Sequence, residues 1–193
     1  MHPALLFLSA WALWALSWLL AAGWTGRTEK RVSRAGSEVW LYRSLLTVGF
    51  VLLYYRVSEA LGMHRLWHVG YDGAYVLAAA AIAGFLFTWW ARLHLGRLWS
   101  GAVTRKEGHR VVDTGPYAIV RHPIYTGILA AAIATAVTLA TVPALASIVF
   151  IAAGFWLKAS IEERFLTAEL GPDAYGAYRR RVPMLVPLAP AGK

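Results

Sequence analysis

Residues 115–127 read GPYAIVRHPIYTG, and the interpretation of the whole chain depends on this stretch. It places two glycines, two prolines, Arg121 and His122 next to a long apolar segment. A helix is expected to begin at Pro123, because proline lacks an N–H that the first helical turn would leave unpaired. Polar, conformationally restricted residues at a helix start predict a functional site rather than an ordinary connection.

The composition indicates an integral membrane protein. Of 193 residues, 59% are hydrophobic and 15% are charged, which a soluble domain of this size does not accommodate. The chain has no cysteine, so disulfides and thiol chemistry are excluded. The net charge of +9 is attributed to membrane topology and attraction to anionic lipids, and no nucleic-acid partner is expected. Neither a metal site nor an obligate protein partner is predicted.

Five apolar segments predict an all-α, polytopic protein with five transmembrane helices. They are Pro3–Trp24, Val39–Leu61, Tyr71–Leu95, Pro123–Ala140 and Ala144–Leu157, the last continuing to Leu170. The first segment has an alternative interpretation as a secretory signal peptide, but it lacks a basic amino-terminal region. The last two segments are separated only by residues 141–143, so a helical hairpin is expected.

The distribution of basic residues predicts the orientation. All lysine and arginine residues except Arg56 and Arg65 fall on one side of the five-helix arrangement. Basic residues accumulate on the cytoplasmic side of membrane proteins. The long polar segment 96–122 and the carboxyl terminus are therefore expected in the cytoplasm, with the amino terminus outside.

The hairpin joins two distant polar groups. Pro123 and Glu162 lie at nearly equal distances along the chain from a turn near Val142. At about 1.5 Å per residue, antiparallel helices would bring His122 level with Glu162 and Glu163. Taken separately, the basic pair is also typical of an interfacial anchor, and the acidic pair of a solvated helical turn.

Together these motifs resemble a known family. Arg121–Gly127, an apolar helix and then Glu162-Glu163 follow the pattern RHPxYxG, hydrophobic stretch, EE of isoprenylcysteine carboxyl methyltransferases and phospholipid N-methyltransferases. The resemblance covers about the carboxyl-terminal half and includes Leu95-Gly96, residues 109–112 and 114–117, Phe165-Leu166, Leu170-Gly171, Tyr175, Tyr178, Val182-Pro183 and Pro187. The first 90 residues match only as generic spans.

The resemblance implies an integral membrane methyltransferase that uses S-adenosylmethionine and has no Rossmann domain. Accordingly, no GxGxxG motif opens a βαβ unit here. A single domain over residues 1–193 is expected: three transmembrane helices in 1–95, then a cofactor-binding loop, the hairpin and an interfacial segment in 96–193, with a cytoplasmic cofactor pocket. The residues that the resemblance assigns to this pocket are His109, Val111, Gly115, Tyr117, Arg121, His122, Tyr125, Gly127, Glu162 and Glu163.

Among these residues, Arg121, His122 and Glu163 are expected to be catalytic. A glutamate can accept hydrogen bonds from ribose hydroxyls or an ammonium group, and Arg121 or His122 can hold the cofactor carboxylate. Gly115 and Gly127 would let the backbone approach the ligand, or would serve as turn and helix-packing glycines.

The expected acceptor is amphiphilic and lipid-like, with a prenylated thioether carboxylate ahead of an aminophospholipid. A carboxylate needs a cation to orient it, for which Arg121 and Arg164 are candidates, whereas a protonated amine needs a base such as His122. The spacing of Tyr175, Tyr178 and Val182 predicts a short amphipathic helix over Pro172–Arg181. It would close the site from the cytosol, so that the acceptor arrives sideways from the bilayer; a plain basic tail is the alternative.

Two other functions remain open from the sequence. NADPH-dependent membrane sterol reductases carry a related RHxxY element with an acidic residue directly after the glycine, whereas Ile128 follows Gly127 here. A membrane scaffold without catalytic activity could retain the same fold.

Overall fold

A computed structural model describes residues 3–31, 36–54, 59–101, 104–106 and 110–190. Six α-helices and two short strands are assigned within these ranges. The helices are α1 Pro3–Leu20, α2 Ser37–Leu53, α3 Tyr71–Leu95, α4 Pro123–Leu139, α5 Val142–Leu170 and α6 Pro172–Arg181, and the strands are β1 Thr28–Arg31 and β2 Thr104–Lys106.

The helices confirm the predicted all-helical membrane architecture. Three of them, α1 and α3 with the short 3-10 turns that follow them and α5, are long and apolar enough to cross a bilayer; the segments are Leu5–Gly23, Tyr71–Leu98 and Val142–Leu170. Pro123–Leu139 is a shorter apolar helix. The count of five transmembrane helices stays a prediction. The second helix ends at Leu53 rather than at Leu61, because Tyr54 adopts extended backbone. The charged Glu59 therefore lies beyond the end of α2.

The predicted hairpin between α4 and α5 is confirmed. Ala140 ends α4 in the left-handed conformation with φ 54°, and the Thr141 side chain caps α5 by accepting from the Ala144 N–H. The connection before α3 covers the exposed end of α4, since the Leu66 N–H donates to the Ala140 carbonyl at 2.6 Å. Carbonyls that the helix end leaves free are thereby satisfied.

Close contact between α3 and α4 depends on a pair of glycines. A Cβ atom on Gly84 would lie 2.6 Å from the Gly127 carbonyl oxygen, and one on Gly127 would lie 2.4 Å from the Gly84 oxygen. Small residues of this kind let membrane helices approach until their backbones touch. Gly127 is therefore a helix-packing residue in this fold.

Replacing Gly127 with alanine is expected to force α3 and α4 apart and to destabilise the protein by about 1–3 kcal/mol, as overpacking usually does. Thermal unfolding in detergent micelles measures this effect. Gly23→Ala is the matched control, because a Cβ there would meet no atom within 4 Å. Equal melting temperatures for Gly127→Ala and the parent would contradict the packing role.

Buried Arg92 secures the end of α1 to the end of α3. Its guanidinium donates to the carbonyls of Ala21 (3.1 Å), Gly96 (2.8 Å) and Trp24. It lies between the rings of Trp24 and Trp99, 4.8 and 4.2 Å from their centroids. The sequence alone identified Arg92 only as a basic residue near the polar face.

The two polar loops are joined by an antiparallel ribbon that the sequence did not predict. β1 pairs with β2, and Lys30 is opposite Arg105. The pairing brings the loop after α1 and the long loop after α3 to the same end of the bundle. This agrees with the expectation that both loops lie on one side of the membrane.

Candidate active site

The basic and acidic pairs meet at one end of the α4–α5 hairpin, as the sequence predicts. Arg121 Nε lies 2.6 Å from Glu163 Oε1 and Arg121 Nη2 lies 3.2 Å from Glu163 Oε2, which makes the pairing bidentate. His122 Nε2 lies 3.1 Å from Glu163 Oε1. Glu163 is 2% exposed and Arg121 is 5% exposed, so the ion pair is almost completely removed from solvent.

Glu162 occupies a different environment from its neighbour. Its Oε1 accepts a hydrogen bond of 2.6 Å from the Tyr125 hydroxyl, and its Oε2 lies 3.5 Å from His122 Nδ1. The Tyr125 ring lies nearly parallel to His122, with centroids 5.4 Å apart, and to Phe155 at 4.8 Å. His122 therefore lies between two carboxylates, with an aromatic ring supporting its orientation.

Burial alone would lower the pKa of His122, but hydrogen bonds to Glu162 and Glu163 and their negative charges raise it above its usual value. The protonated imidazolium, which donates from both nitrogens, is the form that this site favours.

Arg121 is also held by the segment that follows α6. Its Nη1 donates to the carbonyls of Arg179 at 3.0 Å and Val182. The backbone N–H groups of Arg121 and His122 donate to the carbonyls of Pro183 at 2.8 Å and Met184 at 3.1 Å. Sequence reasoning missed this support, although Val182-Pro183 was among the matching motifs.

A cavity of about 510 Å³ opens beside this cluster. Its polar wall includes Arg110, Tyr117, Lys158 and Glu162, and aromatic side chains make up much of the remainder. These aromatic residues are Trp18, Trp99, Tyr125, Phe155, Phe165, Tyr175 and Tyr178. Tyr178 also donates to the Tyr117 carbonyl at 2.7 Å, which ties α6 to the loop before α4. Burial raises the pKa of Tyr117 and Tyr178, so both hydroxyls stay neutral.

The short helix expected over Pro172–Arg181 is present with these bounds as α6. Its buried Tyr175 and Tyr178 line the cavity. Val111 packs against the apolar cluster that these two tyrosines form with Val182. The helix thus forms one wall of the cavity, on the side where the polar loops lie.

The residues assigned to a cofactor pocket divide into three groups. Those that line the cavity are Tyr117, Arg121, His122, Tyr125 and Glu162. Those that do not are Val111, Gly115, Gly127 and Glu163, of which Glu163 lies behind the wall and holds Arg121 and His122. His109 is outside the described residues.

Gly115 has a clear structural role. Its φ of 58° favours glycine, and a Cβ atom there would lie 2.8 Å from Cε1 of His94. His94 in turn contacts the Thr114 hydroxyl at 2.9 Å and stacks on the Tyr117 ring. Gly115 therefore permits the turn that carries Tyr117 to the cavity wall, and it takes the turn role rather than lining the wall.

The structure does not favour Arg121 or Arg164 as the cation that would orient the acceptor carboxylate. The Arg164 side chain is 57% exposed, pairs with Glu38 of α2 and does not line the cavity. Arg121 is committed to Glu163 and two carbonyls. Lys158, one helical turn before Glu162, does line the cavity. The only sequence signal for it is a single lysine within an otherwise apolar segment.

Comparisons with known proteins agree with the motif pattern. Residues 76–168 match the family model described as the isoprenylcysteine carboxyl methyltransferase (ICMT) family. The chain is 36% identical over 90 residues to a protein-S-isoprenylcysteine O-methyltransferase of Schizosaccharomyces pombe, covering 46% of this chain and 38% of that protein. It is also 36% identical over 86 residues to protein-S-isoprenylcysteine O-methyltransferase B of Arabidopsis thaliana, covering 44% and 43%.

The matched region spans less than half the length of either relative. The family model covers residues 76–168, which include most of α3, all of α4, nearly all of α5 and the residues Arg121, His122, Glu162 and Glu163. Over residues 76–168 this chain therefore carries the sequence pattern of the isoprenylcysteine carboxyl methyltransferase family of membrane methyltransferases, as its motifs predicted.

Proposed function

We propose that this protein is an integral membrane methyltransferase that uses S-adenosylmethionine to methylate the carboxylate of an isoprenylcysteine-type acceptor. The observation that carries the proposal is the cavity beside His122, Tyr125 and Glu162, all of which lie within the region that matches the methyltransferase family. The matched relatives act on isoprenylcysteine, as their names state.

The cavity side chains suit the parts of S-adenosylmethionine. A volume of about 510 Å³ falls within the range of about 300–1,000 Å³ typical of small-molecule sites. Aromatic faces such as Trp99 and Tyr117 fit an adenine ring and a positive sulfonium. Glu162 can accept hydrogen bonds from ribose hydroxyls or an ammonium group, and Arg110, at the exposed edge, can pair with a carboxylate.

S-adenosylmethionine, when bound, supplies a methyl group on a positively charged sulfur. A carboxylate oxygen of the acceptor would bond to the methyl carbon as the carbon–sulfur bond breaks, with the electron pair remaining on sulfur and no proton transferred. The protein therefore needs no general base for this reaction. Its contribution is alignment and exclusion of water, for which Glu163 holds Arg121 and His122 in fixed positions.

Lateral access from the bilayer is part of the proposal. Trp18 and Leu19 of α1 belong to the apolar lining of the cavity, whereas Tyr175 and Tyr178 of α6 line it on the side of the polar loops. An acceptor can then keep its hydrocarbon chain in lipid while its head reaches the cavity. We further propose that this end of the bundle is cytoplasmic, with the amino terminus outside, because the basic residues are concentrated there.

Calorimetry on the protein purified in detergent tests which cofactor it binds. Binding of S-adenosylmethionine and no binding of NADPH is the expected result. Labelled methyl transfer in liposomes then tests the acceptor, with S-farnesylated N-acetylcysteine and phosphatidylethanolamine offered side by side. Label is expected on the farnesylated carboxylate.

The remaining outcomes identify the alternatives. Label on phosphatidylethanolamine alone would indicate a phospholipid N-methyltransferase. Binding of NADPH without S-adenosylmethionine would indicate a membrane reductase, and binding of neither would indicate a scaffold.

A further inference from the structure

We propose that Lys158 binds the carboxylate of the acceptor and selects the anionic acceptor over its neutral methyl ester. This inference rests on the proposed function, because it identifies which residue recognises the acceptor in the same cavity. Lys158 belongs to α5, its side chain is only 13% exposed, and it lines the cavity.

Among the described residues, the ammonium group of Lys158 pairs with one carboxylate, Glu162, and at a distance that makes this a long ion pair. Its nearest carboxylate oxygen, Glu162 Oε1, is 4.0 Å away and already accepts the Tyr125 hydroxyl at 2.6 Å. Its hydrogen bond is to the Gly101 carbonyl at 3.2 Å, and the ammonium lies 5.0 Å from the centroid of the Tyr125 ring. A largely buried ammonium is stabilised when an anion pairs with it.

The other cations of the cavity are less suited to this role. The His122 imidazolium already lies between Glu162 and Glu163. Among the described lining residues, only Arg110, Arg121 and Lys158 are arginine or lysine. Arg121 already makes four hydrogen bonds to Glu163, Arg179 and Val182. Arg110 is exposed on the polar loop. Lys158 lies one turn after Phe155 on α5, and both residues line the cavity. From Phe155 towards its start, α5 runs into the apolar part of the bundle, so Lys158 lies at the level that the polar head of an amphiphile would reach.

The charge of Lys158 also favours release of the product. Methylation converts a carboxylate into a neutral ester, so the ion pair with Lys158 exists for the acceptor but not for the product. A hydrogen bond to a charged group corresponds to about ten- to a hundredfold in affinity. The ester is expected to bind more weakly than the carboxylate by about tenfold or more.

Binding of S-farnesylated N-acetylcysteine and of its methyl ester to the purified protein in detergent tests the proposal without requiring turnover. The parent is expected to prefer the carboxylate by about tenfold or more, and Lys158→Met is expected to bind both compounds equally. Lys158→Arg should retain the preference. Arg164→Met is the matched control and should behave as the parent, because Arg164 does not line the cavity.

S-adenosylmethionine affinity, measured on the same samples, separates an acceptor role from a cofactor role. It is expected to stay within about twofold of the parent in Lys158→Met, since no cofactor contact is assigned to this lysine. Lys158→Gln, which can still donate to the Gly101 carbonyl, replaces Lys158→Met if thermal unfolding shows that the methionine variant does not fold.

Retention of the carboxylate preference in the neutral variant would overturn the assignment of Lys158, and so would a parallel loss of cofactor affinity. Either result would leave the proposed methyl transfer intact. Failure of the parent to bind either farnesylated compound would overturn both the acceptor class and the role of Lys158.

Discussion

Replacing Glu163 with glutamine is expected to lower both the stability of the protein and its affinity for S-adenosylmethionine. Glu163 makes a bidentate pair with Arg121 and also accepts from His122, with all three side chains buried. Breaking a buried ion pair costs about 3–5 kcal/mol, because the remaining charge keeps its desolvation cost without a partner. Losing the orientation of Arg121 and His122 should weaken cofactor binding by about ten- to a hundredfold.

Calorimetry on the folded fraction, with thermal unfolding of the same preparation, measures both effects. His122→Ala is expected to weaken cofactor binding similarly while leaving the Arg121–Glu163 pair in place. Arg164→Met, at the next position, is the matched control, because its exposed pair with Glu38 should contribute no more than about 1 kcal/mol. If Glu163→Gln and His122→Ala both bind the cofactor as well as the parent, the assigned site is wrong.

A long hydrocarbon chain on the acceptor is expected to raise methyl transfer by at least about a hundredfold over a short chain. Each buried CH₂ group contributes about 0.8 kcal/mol to membrane partitioning, so even four groups correspond to more than about a hundredfold. The acceptor should therefore reach the cavity from the bilayer past Trp18 and Leu19 rather than from water. Values of kcat/KM measured in liposomes for S-methyl, S-geranyl and S-farnesyl N-acetylcysteine test the expected dependence on chain length.

A pair of α1 variants separates lateral access from partitioning alone. Leu19 lines the cavity, whereas Leu16, also exposed on α1, does not. Leu19→Asn should reduce the advantage of the farnesyl chain because it places an amide in the path of hydrocarbon, and Leu16→Asn should leave that advantage unchanged. Equal kcat/KM for the S-methyl and S-farnesyl compounds in the parent would refute lateral access.

Much of the helical framework could be predicted because its signals are local. The bounds of α3 and α6 agree with the expected segments Tyr71–Leu95 and Pro172–Arg181. Apolar length, proline at helix starts and the break at residues 141–143 are all properties of short stretches of sequence. The nearly equal arms of the hairpin were sufficient to predict that His122 lies level with Glu162 and Glu163, and the structure places it 3.1 Å from Glu163.

Other features of the site depend on contacts between distant segments. The ribbon of β1 and β2 joins two loops that carry no clear strand pattern. The carbonyls of Pro183 and Met184 reach Arg121 and His122 only because the chain turns back after α6. Resemblance identified Gly127 as a site residue, but its contact with Gly84 depends on the packing of α3 against α4.

The sequence by itself determined that this is a helical membrane protein with a basic pair and an acidic pair at one end of a hairpin, because hydrophobic length and turn residues act locally. Only the tertiary structure decided which glutamate faces the cavity and which holds Arg121, since this depends on the rotation of α5 about its axis. The same rotation brings Lys158 into the cavity wall and leaves Arg164 at the surface with Glu38. Helix rotation is set by packing against α2 and α4, to which residues far apart in the sequence contribute.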